Sequence, residues 1–189
     1  MNGFRSVSCV ALGGNLPFGE MNPAMTLVSA VERLANRGVM IRAVSRFFAT
    51  PCFPAGAGPD FVNAVILIES KFPAEGLLNQ LHAVENDFRR ERRDRWGART
   101  VDLDLLFVGQ NVAPDVKSHQ VWRELPLEMQ QKNAPDQLIL PHPRMQDRAF
   151  VLVPMMDLCP DWRHPILDTT VREMVAGLPE ADREAVRPL

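Results

Sequence analysis

Apolar residues recur along this chain with two periods, and each period predicts an element. Residues 8–12 are mostly apolar and run into Gly13-Gly14-Asn15. That predicts a short buried strand ended by a turn with unusual backbone angles. Leu27, Val28, Val31, Leu34 and Ala35 follow at helical spacing. Asn22 and Pro23 supply an N-cap and first-turn pair for that helix, and Arg37-Gly38 supplies its stop. Residues 39–48 and 61–68 read as strands, separated by a Pro/Gly-rich loop at 51–59. Leu77, Leu78, Leu81, Val84 and Phe88 are the apolar stripe of a second helix from about 73 to 90. Residues 100–108 form a further strand. Residues 110–137 have no clear period and predict a long connection, a length at which loops tend to be functional or disordered. Residues 150–158 suit a buried helix limited by Pro154, and Thr170 with Glu173 forms the capping box of a short final helix. The order βαββαβα predicts an α+β fold, a ferredoxin-like sandwich with a mainly antiparallel sheet and helices packed on it.

Composition narrows the picture. A chain of 189 residues suits one domain, 1–189, with a real core. Hydrophobic residues make up 46% and charged residues 23%, as in ordinary water-soluble domains. The net charge of -2 gives no reason to expect nucleic acid as a partner. Residues 89–99 are nonetheless strongly basic, which fits a polyphosphate site. Cys9, Cys52 and Cys159 show neither metal-binding nor disulfide spacing. No apolar run resembles a signal peptide or reaches membrane-spanning length. The expectation is a cytoplasmic protein with reduced thiols and no membrane partner.

The chemistry concentrates at residues 95–107. A strand alternates its faces, so Asp102 and Asp104 point one way while Val101, Leu103 and Leu105 point the other. Two like charges side by side on a strand repel unless a cation sits between them. Oxygen ligands suit Mg²⁺, which takes one or two carboxylates and completes its shell with water and substrate phosphates. Arg95 and Arg99 lie just upstream, where guanidinium groups could clamp the same phosphates.

The run Arg95-Trp96-Gly97-Ala98-Arg99-Thr100-Val101-Asp102-Leu103-Asp104-Leu105-Leu106 resembles the signature of the 6-hydroxymethyl-7,8-dihydropterin pyrophosphokinases. That signature reads Arg-Trp-Gly-Pro-Arg-Thr-Leu-Asp-Leu-Asp-Ile-Leu, so Ala98 and Val101 depart from it. Three more segments resemble the family in the right order: Ala11-Leu12-Gly13-Gly14-Asn15-Leu16; Thr50-Pro51 with Asp60-Phe61-Val62-Asn63-Ala64-Val65; and Leu140-Pro141-His142-Pro143-Arg144-Met145 with Arg148-Ala149-Phe150-Val151-Leu152-Val153-Pro154. The resemblance implies the same ferredoxin-like fold and transfer of the β,γ-pyrophosphoryl group of ATP to the pterin hydroxymethyl oxygen, with release of AMP, in folate biosynthesis. It also implies two Mg²⁺ ions on Asp102 and Asp104.

Residue by residue, the resemblance places ATP on Arg89, Arg92, Trp96, Arg99, His142 and Arg148. Arg89 and Arg92 are chosen by counting back from Trp96; counting forward from Glu85 selects Arg90 instead. Arg89, Arg92, Arg99, Asp102 and Asp104 would be catalytic. Phe61 and Phe150 match the positions that stack on the pterin, Asn63 the amide that reads its edge, and Asp102 also borders it. Thr50, Cys52 and Phe53 would add backbone groups. His142, between two prolines, is expected to be exposed. His82, His119 and His164 match nothing. The family crosses 110–137 with a shorter connection, so this stretch reads as an insertion in which Trp122, Leu125, Leu127 and Met129 could form a packing helix. The expected partners are small molecules, the expected state a monomer. Two rival readings stay open: an inactive pterin- or nucleotide-binding paralogue, and a different Asp-x-Asp metal enzyme.

Overall fold

The computed structural model describes residues 6–52, 58–88, 99–126, 128–129 and 133–189. Strands β1 (Val7–Gly14), β2 (Met40–Val44), β3 (Phe48–Thr50), β4 (Phe61–Glu69), β5 (Asp102–Val108) and β6 (Arg187–Pro188) join in one sheet. Its order is β5-β1-β4-β3-β6, with β2 on β4 beside β3. The pairs are antiparallel. The helices are α1 (Pro23–Asn36), α2 (Ala74–Asp87), α3 (Val116–Arg123), α4 (Ala149–Met155), α5 (Val171–Gly177) and α6 (Glu180–Glu184), with a 3₁₀ turn at Met145–Asp147. This is the α+β architecture expected, an antiparallel sheet with helices packed on it.

Several helix boundaries have a local cause. The Asn22 side chain accepts the Met25 N–H at 2.9 Å, and Gly38 (φ 86°) lets the chain leave α1 in a conformation open to glycine. The Thr170–Glu173 capping box starts α5. α2 ends at Asp87 with Phe88 as its C-cap, short of position 90.

Both faces of the sheet carry helices. Leu27, Ala30 and Leu34 of α1 and Leu77, Leu81 and Val84 of α2 pack on Val10, Leu12, Ile66, Ile68, Leu103 and Leu105. The 3₁₀ turn, α4 and α5 pack on Cys9, Ala11, Val65, Leu106 and Phe107 on the other face. A bulge between Cys9 and Val10 leaves Leu106 as the extra residue of β5, and both Leu106 and Phe107 enter this second core.

Three expectations need correction. The single strand over 39–48 is two strands. The Ser45 hydroxyl accepts the Val65 N–H at 2.9 Å where a backbone carbonyl would continue the ladder, and β2 stops there. Gly13 and Gly14 are not a turn with unusual angles; they are the last residues of β1, and neither has positive φ. They are small because neighbours press on them. A Cβ on Gly14 would lie 2.4 Å from the Thr100 carbonyl oxygen, and one on Gly13 would lie 3.0 Å from Asn63 Oδ1. The aperiodic stretch over 110–137 contains a helix, α3, whose N-cap Asp115 accepts the Ser118 N–H at 2.9 Å. Trp122 lies on α3, while Leu125 and Met129 follow it and Leu127 lies outside the described residues.

Candidate active site

The candidate residues lie on the sheet face that carries α4 and α5, and on α4 itself. Cross-strand register makes the floor. Asp102 on β5 stands opposite Gly13, Gly13 opposite Asn63, and Asn63 opposite Phe48. In the adjacent row Asp104 stands opposite Ala11 and Ala11 opposite Val65. Asp102 and Asp104 share this face and are half-buried, while Val101, Leu103 and Leu105 are buried on the opposite face. The period-2 expectation therefore holds for every residue from 101 to 105.

Each aspartate has its own arginine. Arg99 Nη1 is hydrogen-bonded to Asp102 Oδ2, with both side chains 17% exposed. Arg148 Nη1 lies 3.7 Å from Asp104 Oδ2. Each guanidinium also stands over a ring: Arg99 Cζ is 5.8 Å from the centre of Phe61, and Arg148 Cζ is 5.6 Å from the centre of Phe150. Phe150 is 39% exposed, so it is not a core residue despite opening an otherwise apolar helix. The arrangement is two acid–arginine–phenylalanine sets on one open face.

Asn63 and Thr50 form the polar edge. Asn63 Nδ2 donates to Thr50 Oγ1 at 2.6 Å, which orients the amide and leaves its carbonyl oxygen over Gly13. Cys52 is buried, and its thiol donates to the Gly58 carbonyl at 3.0 Å. The segment before β5 is tied in closely. Thr100 Oγ1 donates to Phe88 O at 2.8 Å. Asn15 accepts the Arg99 N–H, and Asn15 N and Leu16 N both donate to the Arg99 carbonyl.

His142 corrects an expectation. It is half-buried rather than exposed, because its backbone N–H donates to Leu106 O of β5 at 2.7 Å and pins the Pro-His-Pro segment against the sheet. Its Nδ1 accepts the Arg144 N–H at 3.1 Å. Burial, and then the nearby charge of Arg148, push the imidazole down to about 3. At neutral pH the ring is therefore uncharged, with its proton on Nε2, and can act only as a neutral donor there.

Phe53, Arg89, Arg92 and Trp96 lie outside the described residues. Arg99, Asp102, Asp104, His142, Arg148, Phe61, Asn63, Thr50, Cys52 and Phe150 are described; contacts join Arg99 with Asp102 and Phe61, Asn63 with Thr50, and Arg148 with Asp104 and Phe150, and His142 feels the charges of Asp102 and Arg148. Sequence reading passed over the role of Glu85. It is buried, and its Oε1 accepts the Leu103 N–H at 2.8 Å, between the two aspartates. The available signal was an acid one residue from Val84 on the apolar stripe of α2. His119 and His164, which match no family position, have a structural role. Both are fully buried, in edge-to-face contact at 5.6 Å, and they hold α3 against the C-terminal segment.

The donor set fits magnesium. Among the described residues no group of three or more His, Cys, Asp or Glu could hold a metal ion. Two hard carboxylates on one strand are nonetheless the usual protein share of a site completed by water and phosphate oxygens.

Comparison with known proteins bears on this arrangement. The model of the 7,8-dihydro-6-hydroxymethylpterin-pyrophosphokinase family matches residues 9–160. The chain is 31% identical over 182 residues to a Synechocystis 2-amino-4-hydroxy-6-hydroxymethyldihydropteridine pyrophosphokinase, covering 95% of this chain and 78% of that one. It is 31% identical to the Methylorubrum extorquens protein of the same name, covering 94% and 96%. It is 35% identical to the Pseudomonas aeruginosa one, covering 82% of each. Among solved structures, wild-type Plasmodium falciparum HPPK-DHPS superposes with a TM-score of 0.62 at 12% identity, over 91% of this chain. That likeness concerns the fold alone, and the chain spans 44% of that larger protein.

Proposed function

The chain belongs to the 7,8-dihydro-6-hydroxymethylpterin pyrophosphokinase family and is an ATP-dependent diphosphotransferase of folate synthesis, and on that premise we propose which of its residues do the work. The reaction joins the hydroxymethyl oxygen of 6-hydroxymethyl-7,8-dihydropterin to the β-phosphorus of ATP. The bond from the β-phosphorus to the α,β-bridging oxygen breaks, AMP leaves, and the hydroxyl proton is released. The observation that carries the assignment is the pair of aspartates on one face of β5, each with an arginine that also stands over a phenylalanine.

Phosphoryl-type transfer asks the protein chiefly to align its substrates and to balance charge. Asp102 and Asp104 are the residues that would hold Mg²⁺, two ions in our reading; bound there, magnesium neutralises phosphate charge and makes the substrate hydroxyl more acidic. Arg99 and Arg148 bind phosphate oxygens with planar, permanently charged groups. His142 donates its Nε2–H without adding charge. Arg89, Arg92 and Trp96 complete the ATP side in the basic segment before β5. Phe61 and Phe150 take the faces of the pterin, a flat ring that needs stacking surface. Asn63, fixed by Thr50, offers a donor and an acceptor to the aminopyrimidinone edge. Cys52 and Phe53 supply backbone groups beside it, and Asp102 borders the same ring. Arg89, Arg92, Arg99, Asp102 and Asp104 form the catalytic set.

We read the protein as a cytoplasmic monomer of one domain, 1–189, with an insertion at about 110–137. Among the described residues no helix is long and apolar enough to cross a membrane. The test is to incubate the protein with ATP, Mg²⁺ and 6-hydroxymethyl-7,8-dihydropterin and to separate the nucleotides. AMP that appears only with pterin, and is absent with Asp102→Ala, is the expected result. Pterin binding without AMP from the wild-type protein would instead mark an inactive paralogue.

A further inference from the structure

Asn15 follows directly on β1, is 4% exposed, and has no task in the assignments above. Its side chain reaches in two directions. Oδ1 accepts the Arg99 N–H at 2.8 Å, and Nδ2 donates to the Pro59 carbonyl at 3.0 Å. Its own backbone N–H donates to the Arg99 carbonyl at 2.9 Å, and Leu16 N–H reaches the same oxygen at 3.1 Å. Both backbone polar groups of Arg99 are thus held from one side. The carbonyl two residues before Phe61 is held by the other end of the same amide. Gly14 makes the approach possible, since a Cβ there would collide with the Thr100 carbonyl.

The two anchored segments carry different halves of the site. Arg99 pairs with Asp102, and Phe61 offers a ring face beneath the Arg99 guanidinium. We propose that Asn15 is a positioning residue that fixes Arg99 relative to Phe61, and so sets the distance between the bound phosphates and the bound pterin. This role rests on the function proposed above. The chemistry selects the residue type. One end of the side chain must accept from an N–H while the other donates to a carbonyl. A carboxylate lacks the donor, and a hydroxyl is too short to span the two segments. The need is kinetic, because a displacement of about 1 Å between reacting groups lowers a rate about a hundredfold.

Two variants separate the two ends. Asn15→Asp keeps the acceptor for Arg99 but sets an oxygen against the Pro59 carbonyl. It is expected to raise the KM for pterin about tenfold, with the KM for ATP within about threefold of wild type. Asn15→Ala frees both segments and is expected to lower kcat about tenfold or more as well. A purely structural residue would shift the melting temperature without separating the two KM values from kcat. If Asn15→Ala does not fold, Asn15→Asp decides alone. Wild-type protein that makes AMP, with folded variants that keep the wild-type KM and kcat, would overturn this role. Wild-type protein that makes no AMP would overturn the assigned reaction instead, and the role with it.

Discussion

The carboxylate of Glu85 accepts the backbone N–H of Leu103 at 2.8 Å, and Leu103 is the residue between the two acids of β5. The pairing strand on one side of Leu103 is β1; on the other side this side chain from α2 supplies the acceptor. Glu85 is 1% exposed and Leu103 is 2% exposed, so water cannot replace the bond if it is lost. A buried N–H left unsatisfied costs about 1–3 kcal/mol. Glu85→Ala should lower the melting temperature by roughly 3–10 °C. Glu85→Gln, which retains an acceptor, should lower it less. Equal melting of both variants with wild type would show that the bond contributes nothing to stability.

Arg148 and Asp104 form a partly solvated pair at 3.7 Å. Pairs of this kind contribute about 0–1 kcal/mol, so its stabilising effect is small. Its value to binding is larger, because phosphate presents more negative charge than one carboxylate. Arg148→Ala should leave the melting temperature nearly unchanged and raise the KM for ATP about tenfold or more. A variant that melts early and keeps its KM would reverse that ranking.

Phe150 is an exposed ring on a helix whose Val151, Leu152 and Met155 face the core. Truncating it removes stacking surface without opening a buried cavity. Phe150→Ala is expected to weaken pterin binding about tenfold, as read by pterin fluorescence, while ATP affinity and folding are retained. Undiminished pterin affinity would remove Phe150 from the site.

The imidazoles of His142, His164 and His119 are all held below the usual histidine value of 6.5, first of all by burial. His142 lies near 3 and His164 near 4. Arg123 adds repulsion at both His119 and His164. A lowered folded-state pKa means that the unfolded chain binds the extra protons. The stabilisation is therefore complete above 6.5 and is lost as pH falls towards 4 and 3. Melting temperature should decline between pH 6.5 and 5, before most carboxylates titrate. His164→Asn, which can still accept the Ile166 and Leu167 N–H groups that meet Nδ1, should flatten that decline. A melting temperature independent of pH over this window would contradict the assignment of neutral buried rings.

Among the described residues, Ala113, His119 and Leu125 tie the segment around α3 to the body. Ala113 pairs with Leu140, His119 packs on His164, and the Leu125 carbonyl accepts from Arg144 at 3.4 Å. Arg144 in turn donates its backbone N–H to His142. Removing residues 112–134 should lower the melting temperature and raise the KM for ATP, with little effect on Mg²⁺ dependence. Unchanged stability and kinetics in the shortened protein would show that the segment is an appendage.

The legible parts of the chain were those governed by near neighbours in sequence. Alternation placed Asp102 and Asp104 on one face, and Asn22, Gly38 and Thr170 marked helix ends through their own side chains or backbone freedom. What escaped reading depends on residues distant in the chain. Ser45 interrupts a strand by capturing Val65, twenty positions away. Gly14 reads as a turn until Thr100 is seen pressed against it. His119 looked incidental because its cover comes from His164. Glu85 has no role legible in the sequence, because its partner Leu103 is eighteen positions away. Resemblance to a family supplied the roles of Phe61, Asn63 and His142, which no periodicity would have separated from ordinary packing.

The alternation along β5 also bears on how the chain finds its own alignment. If β5 slid by one residue against β1, Asp102 and Asp104 would turn towards Leu27, Leu34 and Leu81, and Leu103 and Leu105 would turn outward. Taking a carboxylate into such surroundings costs several kcal/mol per ion, so the slipped pairing cannot compete. The two acids therefore guard the sheet against a wrong pairing, besides the part in the reaction proposed for them. A chain with leucine at both positions would lose the proposed metal ligands and, in the same stroke, acquire a rival for its own fold.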